Sequence, residues 1–239
     1  VKAGIPVTQM VNRPEGISIA CGKDLMEAMR ETKVFQVFVK PVSGSGAAGI
    51  GALRLRPGGN EAALYTCAYL NREGKLYNTK RLRCSRDPEE ILKILDALLS
   101  MDCVVERWYA KEEYQGCSYD LRAVIQEGRM DFLLARLSRG PITNLHLNNR
   151  PLKIEELRLP DYVLDDIFQC CKQAMGCFPG LSTAGIDILL EKGKRNPRII
   201  EMNGQGDLIY QDIYNDNRIY RHQAEIMKRE LYKEATGYE

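Results

Sequence analysis

The sequence predicts an α+β protein with two lobes, each made of an antiparallel sheet with helices against it. Two observations support this fold class. Apolar and β-branched runs come in pairs around short polar turns, which is typical of hairpins, at residues 62–80, 118–138 and 184–203. Segments with apolar residues at helical spacing precede or follow them at residues 23–32, 87–99, 160–177 and 217–234. The boundary is expected after Tyr109, so that the lobes span residues 1–109 and 110–239.

Composition and charge argue against several classes of protein. The chain has 239 residues, 44% of them hydrophobic, which suffices for a sizeable core. A net charge of +2 provides no global field that would recruit nucleic acid or a membrane surface. No apolar run reaches the roughly 20 residues that span a bilayer. The eight cysteines form no C-x-x-C pair, and two histidines are too few for zinc-site spacing. We expect reduced thiols and a soluble, cytoplasmic protein, with homo-oligomerisation left open.

The first residues resemble the end of a helix rather than the start of a protein. The chain begins without a methionine, Gly4 is a plausible helix C-cap and Pro6 prevents continuation. We therefore expect that a preceding domain is missing from this sequence. Further along, the predicted helix at 23–32 leads into a β-rich run at 34–39, and Asp87 is the expected N-cap of the next helix.

A loop of small residues follows the first strand. Lys40 ends the strand, and Ser43, Gly44, Ser45 and Gly46 come after it. Small residues let backbone N–H groups approach a phosphate closely, and the lysine adds a positive charge. The pattern is not G-x-x-x-x-G-K-[ST], because the lysine precedes the loop and a strand follows it. One interpretation is a phosphate site, and the other is a glycine-rich hairpin without a ligand.

Polar residues also mark the middle of the chain. The apolar strand at 103–109 ends in a cluster with the only tryptophan, Trp108, which either contacts a ligand or fills the seam between the lobes. In the second lobe Asp120 and Arg122 share one strand face, which is therefore charged. The segment 139–149 is rich in turn residues and is expected to be a mobile loop. A structural role is the simpler interpretation of His146 within it.

The final hairpin carries three oxygen ligands at one end. Glu201 and Asn203 are two residues apart on one strand, so they point to the same face. Antiparallel pairing across the polar turn at 192–197 brings Asp187 beside them. Two carboxylates and an amide suit a hard cation such as Mg²⁺, although the same residues also occur on solvated sheet faces. Before a cation binds, the like charges are expected to repel one another.

In this order, the motifs resemble the ATP-grasp superfamily. The resemblance is closest to the branch that contains glutathione synthetase and the ribosomal-protein glutamate ligase, and it covers essentially the whole chain. Four stretches carry it: Val37-Phe-Val-Lys-Pro41, Ser118-Tyr-Asp-Leu-Arg-Ala-Val124, Thr143-Asn-Leu-His146, and Ala184-Gly-Ile-Asp187 with Ile200-Glu-Met-Asn203.

The resemblance implies an ATP cleft enclosed by the two lobes and a role for each motif. Phosphates would be bound by Lys40 and the loop residues Ser43, Gly44, Ser45 and Gly46. The adenine hinge would be Glu106, Arg107, Trp108 and Tyr109, and Glu113 would bind the ribose. Magnesium would be held by Asp187, Glu201 and Asn203, and catalysis would involve Arg122, Arg136, Arg139 and Asn144.

The implied activity is that of an ATP- and Mg²⁺-dependent, ADP-forming carboxylate–amine ligase. It would act on an amino acid or peptide, with small-molecule or peptide carboxylates and amines as substrates. This sequence departs from the family pattern in three places. The family usually has another phosphate-binding lysine upstream of Ala3-Gly-Ile-Pro6, and Lys2 is not in the matching place. Ile142 stands where an arginine is usual, and Gly-Gln-Gly-Asp-Leu follows Asn203 instead of Ser-Pro-Gly. Two alternatives stay open, an inactive ATP-binding scaffold in a biosynthetic or spore-coat-like assembly and a small-molecule kinase.

Overall fold

The computed structural model describes residues 4–11, 19–44, 46–193, 195–204 and 216–236. The helices are α1 (Gly22–Glu31), α2 (Pro88–Leu99), α3 (Asp161–Gly176) and α4 (Arg218–Thr236). The strands up to the middle of the chain are β1 (Gln36–Pro41), β2 (Gly51–Leu55), β3 (Ala62–Leu70), β4 (Leu76–Ser85), β5 (Cys103–Arg107) and β6 (Glu113–Tyr114). The remaining strands are β7 (Cys117–Gln126), β8 (Arg129–Ser138), β9 (Arg150–Lys153), β10 (Thr183–Leu190) and β11 (Pro197–Asn203).

The strands form two antiparallel sheets, which confirms the predicted α+β fold class. The five-stranded sheet has the order β4-β3-β2-β1-β5. The six-stranded sheet has the order β11-β10-β7-β8-β9, and β6 pairs with β7. The predicted hairpins are present as β3–β4, β7–β8 and β10–β11, and the four predicted helices are present as α1 to α4.

The chain divides into two compact units, each built from separate segments. The glycine-loop unit comprises Thr8–Ser118 and Leu137–Arg150, and the hairpin unit comprises Val1–Val7, Tyr119–Arg136 and Pro151–Glu239. The sequence prediction instead divides the chain once, after Tyr109. Sequence patterns do not reveal such a discontinuous division, because it depends on which distant segments pack together.

The core of the glycine-loop unit lies between one face of its sheet and helices α1 and α2. Leu25 and Met29 of α1 and Leu95 of α2 are fully buried against Val37 and Leu53. The predicted N-cap is correct, because Asp87 accepts a hydrogen bond from the Glu89 N–H at 2.9 Å. The buried face of α2 consists of Ile91, Ile94, Leu95 and Leu98, whereas Leu92 and Leu99 are only partly buried.

In the hairpin unit, helix α4 docks on β7 and β8 through one apolar contact and one polar cluster. Ile219 is fully buried against Val124. The buried Gln126 amide donates to Asp131 at 2.7 Å and to the Ile219 carbonyl at 3.1 Å, which ties the helix start to the strand end. Leu231 is 63% exposed, so the apolar contact ends before the last turns of this helix.

None of the described helices is both long and apolar enough to cross a membrane. All eight cysteines are free thiols, and they differ widely in exposure. Cys67, Cys170 and Cys171 are buried, whereas Cys84 and Cys177 are exposed. Burial raises the pKa of Cys170 to about 11 and that of Cys171 to about 12, where the neighbouring Cys170 contributes as well.

These exposures predict the order in which the thiols react. At about pH 8 an alkylating reagent should modify Cys84 and Cys177 rapidly in the native protein, because thiolate attack requires access and a thiol that ionises. Cys170 and Cys171 should be protected, since they are both buried and protonated at that pH. Mass spectrometry of digests after timed alkylation measures this order. Modification of Cys171 as fast as that of Cys84 would contradict the described packing of α3.

Candidate active site

The hairpin unit brings Asp187, Glu201 and Asn203 together at one end of β10 and β11. Asp187 pairs directly with Glu201, and Gly185 pairs with Asn203, so the predicted antiparallel pairing is confirmed. The Asn203 amide donates to Glu201 Oε1 at 3.2 Å. A register irregularity follows Asp187, and Asp187 itself is buried whereas Glu201 is exposed. The oxygen atoms of the three side chains therefore extend from the surface of the unit into its interior.

The structure adds an interaction that the sequence does not show, a buried arginine that joins two aspartates. Arg136 donates to both carboxylate oxygens of Asp120, at 2.8 and 2.9 Å. Its Nη2 also lies 3.0 Å from Asp187 Oδ2. Burial lowers the pKa of Arg136, but the charges of the two aspartates outweigh it and the net shift is upward. Arg136 is thus a permanent cation that fixes the position of Asp187.

Arg122 supplies the second positive charge beside Asp187. The two residues pair across β7 and β10, and Arg122 Nε lies 3.1 Å from Asp187 Oδ1. A side chain at Gly185 would place its Cβ 2.9 Å from Arg122 Nη1, so the glycine leaves the space that the guanidinium occupies. Arg122 Nε, Arg122 Nη1 and Asp187 Oδ1 are buried without a hydrogen-bond partner among the described residues.

The unused polar atoms identify where this cluster can accept a ligand. Buried polar groups are normally hydrogen-bonded, so an exception suggests an absent ion or ligand. Burial raises the pKa of Asp187, although Arg136 and Arg122 act in the opposite direction. The expected repulsion between Asp187 and Glu201 is therefore only part of the electrostatics, because two arginines already neutralise the buried carboxylate.

The donor set fits a hard cation and does not fit zinc. Within the described part of the chain, no three His, Cys, Asp or Glu side chains come together as a metal site. The hairpin offers two carboxylates and one amide, which are oxygen ligands of the kind that Mg²⁺ accepts while it keeps several waters. The Oδ1 atom of Asp187, buried and without a hydrogen bond, is the oxygen that most needs such a partner.

In the glycine-loop unit, Lys40 is held by the carboxylate of Glu106. The distance from Lys40 Nζ to Glu106 Oε2 is 2.7 Å, and the two side chains are 16% and 9% exposed. The Thr8 hydroxyl donates to the same oxygen at 3.0 Å. The predicted phosphate lysine is thus already paired in the structure. Thr8 and Glu106 position it, and the sequence carried no signal for the part played by Thr8.

The glycine loop has the backbone conformation that its composition suggests. Gly46, Ala47 and Gly49 have positive φ angles of 63°, 65° and 71°. Gly44 and Ser43 are exposed, and Ser45 lies outside the described residues. The Gly49 N–H donates to the Asn78 side chain at 3.2 Å, which fixes the end of the loop to β4. The backbone N–H groups of the exposed residues Ser43 and Gly44 stay candidates for contact with a phosphate.

The predicted hinge residues lie at the end of β5 and beyond it. The Trp108 N–H donates to the Gln36 carbonyl, which joins the segment to β1. Within the glycine-loop unit Trp108 has a tilted contact with Phe38, an edge-to-face contact with Tyr65 and the Arg54 guanidinium over its ring, so a role in that packing is established for it. Arg107 lies over the Tyr109 ring, and Glu113 is exposed in β6. The role of Glu113 in binding the ribose stays a prediction.

The segment with Arg139 and Asn144 is more ordered than its composition suggests. The Asn149 amide donates to the carbonyls of Ile142 and Asn144, each at 2.8 Å. The Asn144 side chain accepts from the His146 N–H and starts a short 3₁₀ helix. The His146 ring lies 3.7 Å from the Cβ position of Gly46, so this segment borders the glycine loop. Arg139 is exposed, and its role and the mobility of the loop stay predictions.

Comparison with known proteins gives structural neighbours only. No family model and no curated protein matches the chain. The macrocyclase MdnC with precursor peptide MdnA, from Microcystis aeruginosa MRC, is similar at 17% identity and a TM-score of 0.52 over 95% of this chain and 56% of its own. The D-alanine–D-alanine ligase of Bacillus anthracis has 14% identity and a TM-score of 0.46, with 85% and 53% covered.

The third neighbour is the ATP-grasp ligase PsnB, crystallised with a precursor variant, Mg and ADP. It has 15% identity and a TM-score of 0.41, with 86% of this chain and 46% of its own covered. This chain thus spans about half the length of the structures that it matches.

The arginine contacts predict different consequences for the two hairpin carboxylates. Asp187→Ala leaves Arg136 and Arg122 buried with a missing partner, so the free energy of unfolding should fall by about 3–5 kcal/mol. Glu201→Ala removes an exposed carboxylate and should leave stability nearly unchanged. Urea titrations of both variants, followed by circular dichroism without added metal, measure the difference. Equal small losses would show that the arginines do not depend on Asp187.

Proposed function

Because this chain has the ATP-grasp fold, we propose that it is the nucleotide- and metal-binding part of an ADP-forming carboxylate–amine ligase. The observation that carries the proposal is Asp187, buried between two arginines and paired with Glu201 at the end of the hairpin. The assignment to the glutathione synthetase-like branch is part of this proposal and rests on the sequence motifs alone.

The residues fit magnesium, with Asp187, Glu201 and Asn203 as its protein ligands. When bound, the ion would neutralise charge on the phosphate oxygens of ATP. Asp187 is suited to this task because Arg136 holds it in one position before any ligand arrives. Glu201 can move to complete the coordination, since it is exposed and its hydrogen bond from the Asn203 amide is with a second proposed ligand.

The reaction begins with attack of a substrate carboxylate oxygen on the terminal phosphorus of ATP. The bond from that phosphorus to the bridging oxygen breaks, ADP leaves and an acyl phosphate forms. An amine nitrogen then attacks the acyl carbon, phosphate departs and the amine proton goes to solvent. No side-chain nucleophile is needed, because positioning and charge neutralisation carry phosphoryl transfer.

Each unit contains one cation that is suited to a phosphate group. In the hairpin unit, Arg122 places a positive charge 3.1 Å from Asp187, and its Nη1 has no hydrogen-bond partner among the described residues. Lys40 can exchange its contact with Glu106 for a phosphate that carries more negative charge. An amino acid or a peptide is the proposed substrate. The neighbour MdnC is described with a precursor peptide, which is consistent with a peptide but does not identify one.

Release of ADP on presentation of a substrate tests the activity. A panel of amino acids and acidic peptides, each with ATP and Mg²⁺, should contain a pair that releases ADP and yields an amide by mass spectrometry. A phosphorylated product without an amide would establish a kinase instead. ADP release that is absent over the whole panel, together with intact nucleotide binding, would favour the scaffold.

Nucleotide binding tests the role of Lys40 separately from turnover. Lys40→Met should weaken binding of a non-hydrolysable ATP analogue about tenfold to hundredfold, the scale of one lost charge-assisted hydrogen bond. Lys80→Met is the matched control, because Lys80 is an exposed lysine on β4 of the same unit. Isothermal titration calorimetry measures both affinities. Unchanged affinity of the Lys40 variant would support the ligand-free hairpin interpretation of the glycine loop.

A further inference from the structure

The glycine-loop unit contains a cavity whose lining residues have no role in the proposed chemistry. Its volume is about 1010 Å³, and it lies at the end of the sheet where β2 and β3 meet the start of α2. Its walls include the arginines Arg54, Arg56 and Arg86, and its apolar lining includes Leu55, Ala62 and Ala63. Cavities of this size accommodate a ligand that is larger than a single inorganic ion.

Strand pairing explains why this cavity exists. Arg54 of β2 pairs with Ala63 of β3. Arg86 follows Ser85, and Ser85 pairs with Leu64, so Arg86 flanks β3 on its other side. The small Ala63 side chain leaves a hollow between two long arginines, whose backbones are two strand spacings, about 10 Å, apart.

Arg54 is held in place without its donors being used. Its guanidinium carbon lies 4.9 Å from the centre of the Trp108 ring, a stacking contact that fixes the orientation of the plane. Phe38 and Tyr65 hold the other sides of Trp108, with ring centres 5.4 and 6.2 Å away. Within the described residues, the contact found for the Arg54 guanidinium is this one with the Trp108 ring, with no ion pair or hydrogen bond at its edge. The fork is therefore available for an anion.

Among the described residues no carboxylate pairs with Arg86, because the nearby carboxylates are engaged elsewhere. Glu90 accepts hydrogen bonds from Ser85 and Arg83. Asp87 caps α2 through the Glu89 N–H. Of the three cavity arginines, Arg56 is the one with an ion pair in the described part of the chain, to Glu61 at 2.9 Å on the exposed rim. The cavity thus keeps two uncompensated positive charges, from Arg54 and Arg86, over an apolar surface.

We propose that this cavity binds carboxylate groups, either those of a small dicarboxylic acid or those of acidic side chains in a peptide. Guanidinium forks match carboxylates in two parallel hydrogen bonds, and two forks on one hollow favour a ligand with two acidic groups. The apolar lining between them suits the methylene chain that joins such groups. The site goes beyond the proposed ligase activity and does not depend on nucleotide.

The single tryptophan provides a direct readout, because it stacks with Arg54 in the cavity wall. Tryptophan fluorescence is followed while the chain is titrated with glutarate, or with a blocked tetraglutamate peptide, at constant ionic strength. Saturable binding is expected for at least one of them, and the tighter one identifies the source of the carboxylates. Failure of both to bind would overturn the proposal.

Variants separate a built site from general charge attraction. Arg86→Gln should weaken binding about tenfold, the value of one lost charge-assisted contact. Arg81→Gln is the matched control, since it removes the same charge from an exposed position of β4 that does not line the cavity. Equal weakening by both variants would show that binding depends on net charge alone and would contradict the proposal. Calorimetry on each variant confirms the affinities without reliance on fluorescence.

A third variant distinguishes carboxylate binding at the cavity from binding at the proposed nucleotide site around Lys40. Lys40→Met should leave carboxylate binding at the cavity unchanged, because Lys40 does not line it. Loss of carboxylate binding in this variant would assign the signal to the Lys40 cluster and contradict the second site. Failure of the ligase proposal would instead appear as absent ADP release, with carboxylate binding intact.

Discussion

The candidate active site depends on the burial of one guanidinium between two carboxylates. Arg136 joins Asp120 on β7 to Asp187 on β10, although it belongs to β8. Desolvating three charged groups is costly, and such a cluster adds stability only when its geometry satisfies each member. The bidentate contact meets that condition for Asp120, whereas Asp187 Oδ1 has the charge of Arg122 3.1 Å away but no hydrogen bond among the described residues. The cluster therefore fixes where a carboxylate stands in a buried sheet, which apolar residues of the same volume would not do.

In the glycine-loop unit a charged side chain is also held by a group of opposite charge, but here the held group is the cation. There a carboxylate, Glu106, holds a cation, Lys40, and the Thr8 hydroxyl holds the carboxylate. Each unit keeps its reactive group paired with an opposite charge when no ligand is present. A polyanion can displace Glu106 from Lys40, because it offers more negative charge to the same ammonium. Asp187 differs, since two arginines rather than one partner hold it.

Sequence patterns predicted the local elements and the ligands that lie on one hairpin. Alternation and a polar turn suffice to place Asp187 beside Glu201, because pairing in a short hairpin is nearly determined by the turn. The partners of these residues could not be predicted in that way. Glu106 lies 66 positions from Lys40 and 98 from Thr8, and no periodicity connects such distances. Asp120 was visible on the charged face of β7, but its bond to Arg136 requires knowledge of how β7 and β8 align.

The charge balance of the hairpin unit supports the proposal that it binds a divalent cation. Asp120 and Asp187 carry two negative charges, Arg122 and Arg136 carry two positive charges, and the sum at the buried level is zero. Glu201 adds one negative charge at the surface, so the cluster without a cation has a net charge of minus one. It would therefore repel a phosphate weakly. A monovalent cation would bring the total to zero, whereas Mg²⁺ would bring it to one positive charge. Only the divalent ion converts this cluster from one that repels a polyphosphate into one that attracts it.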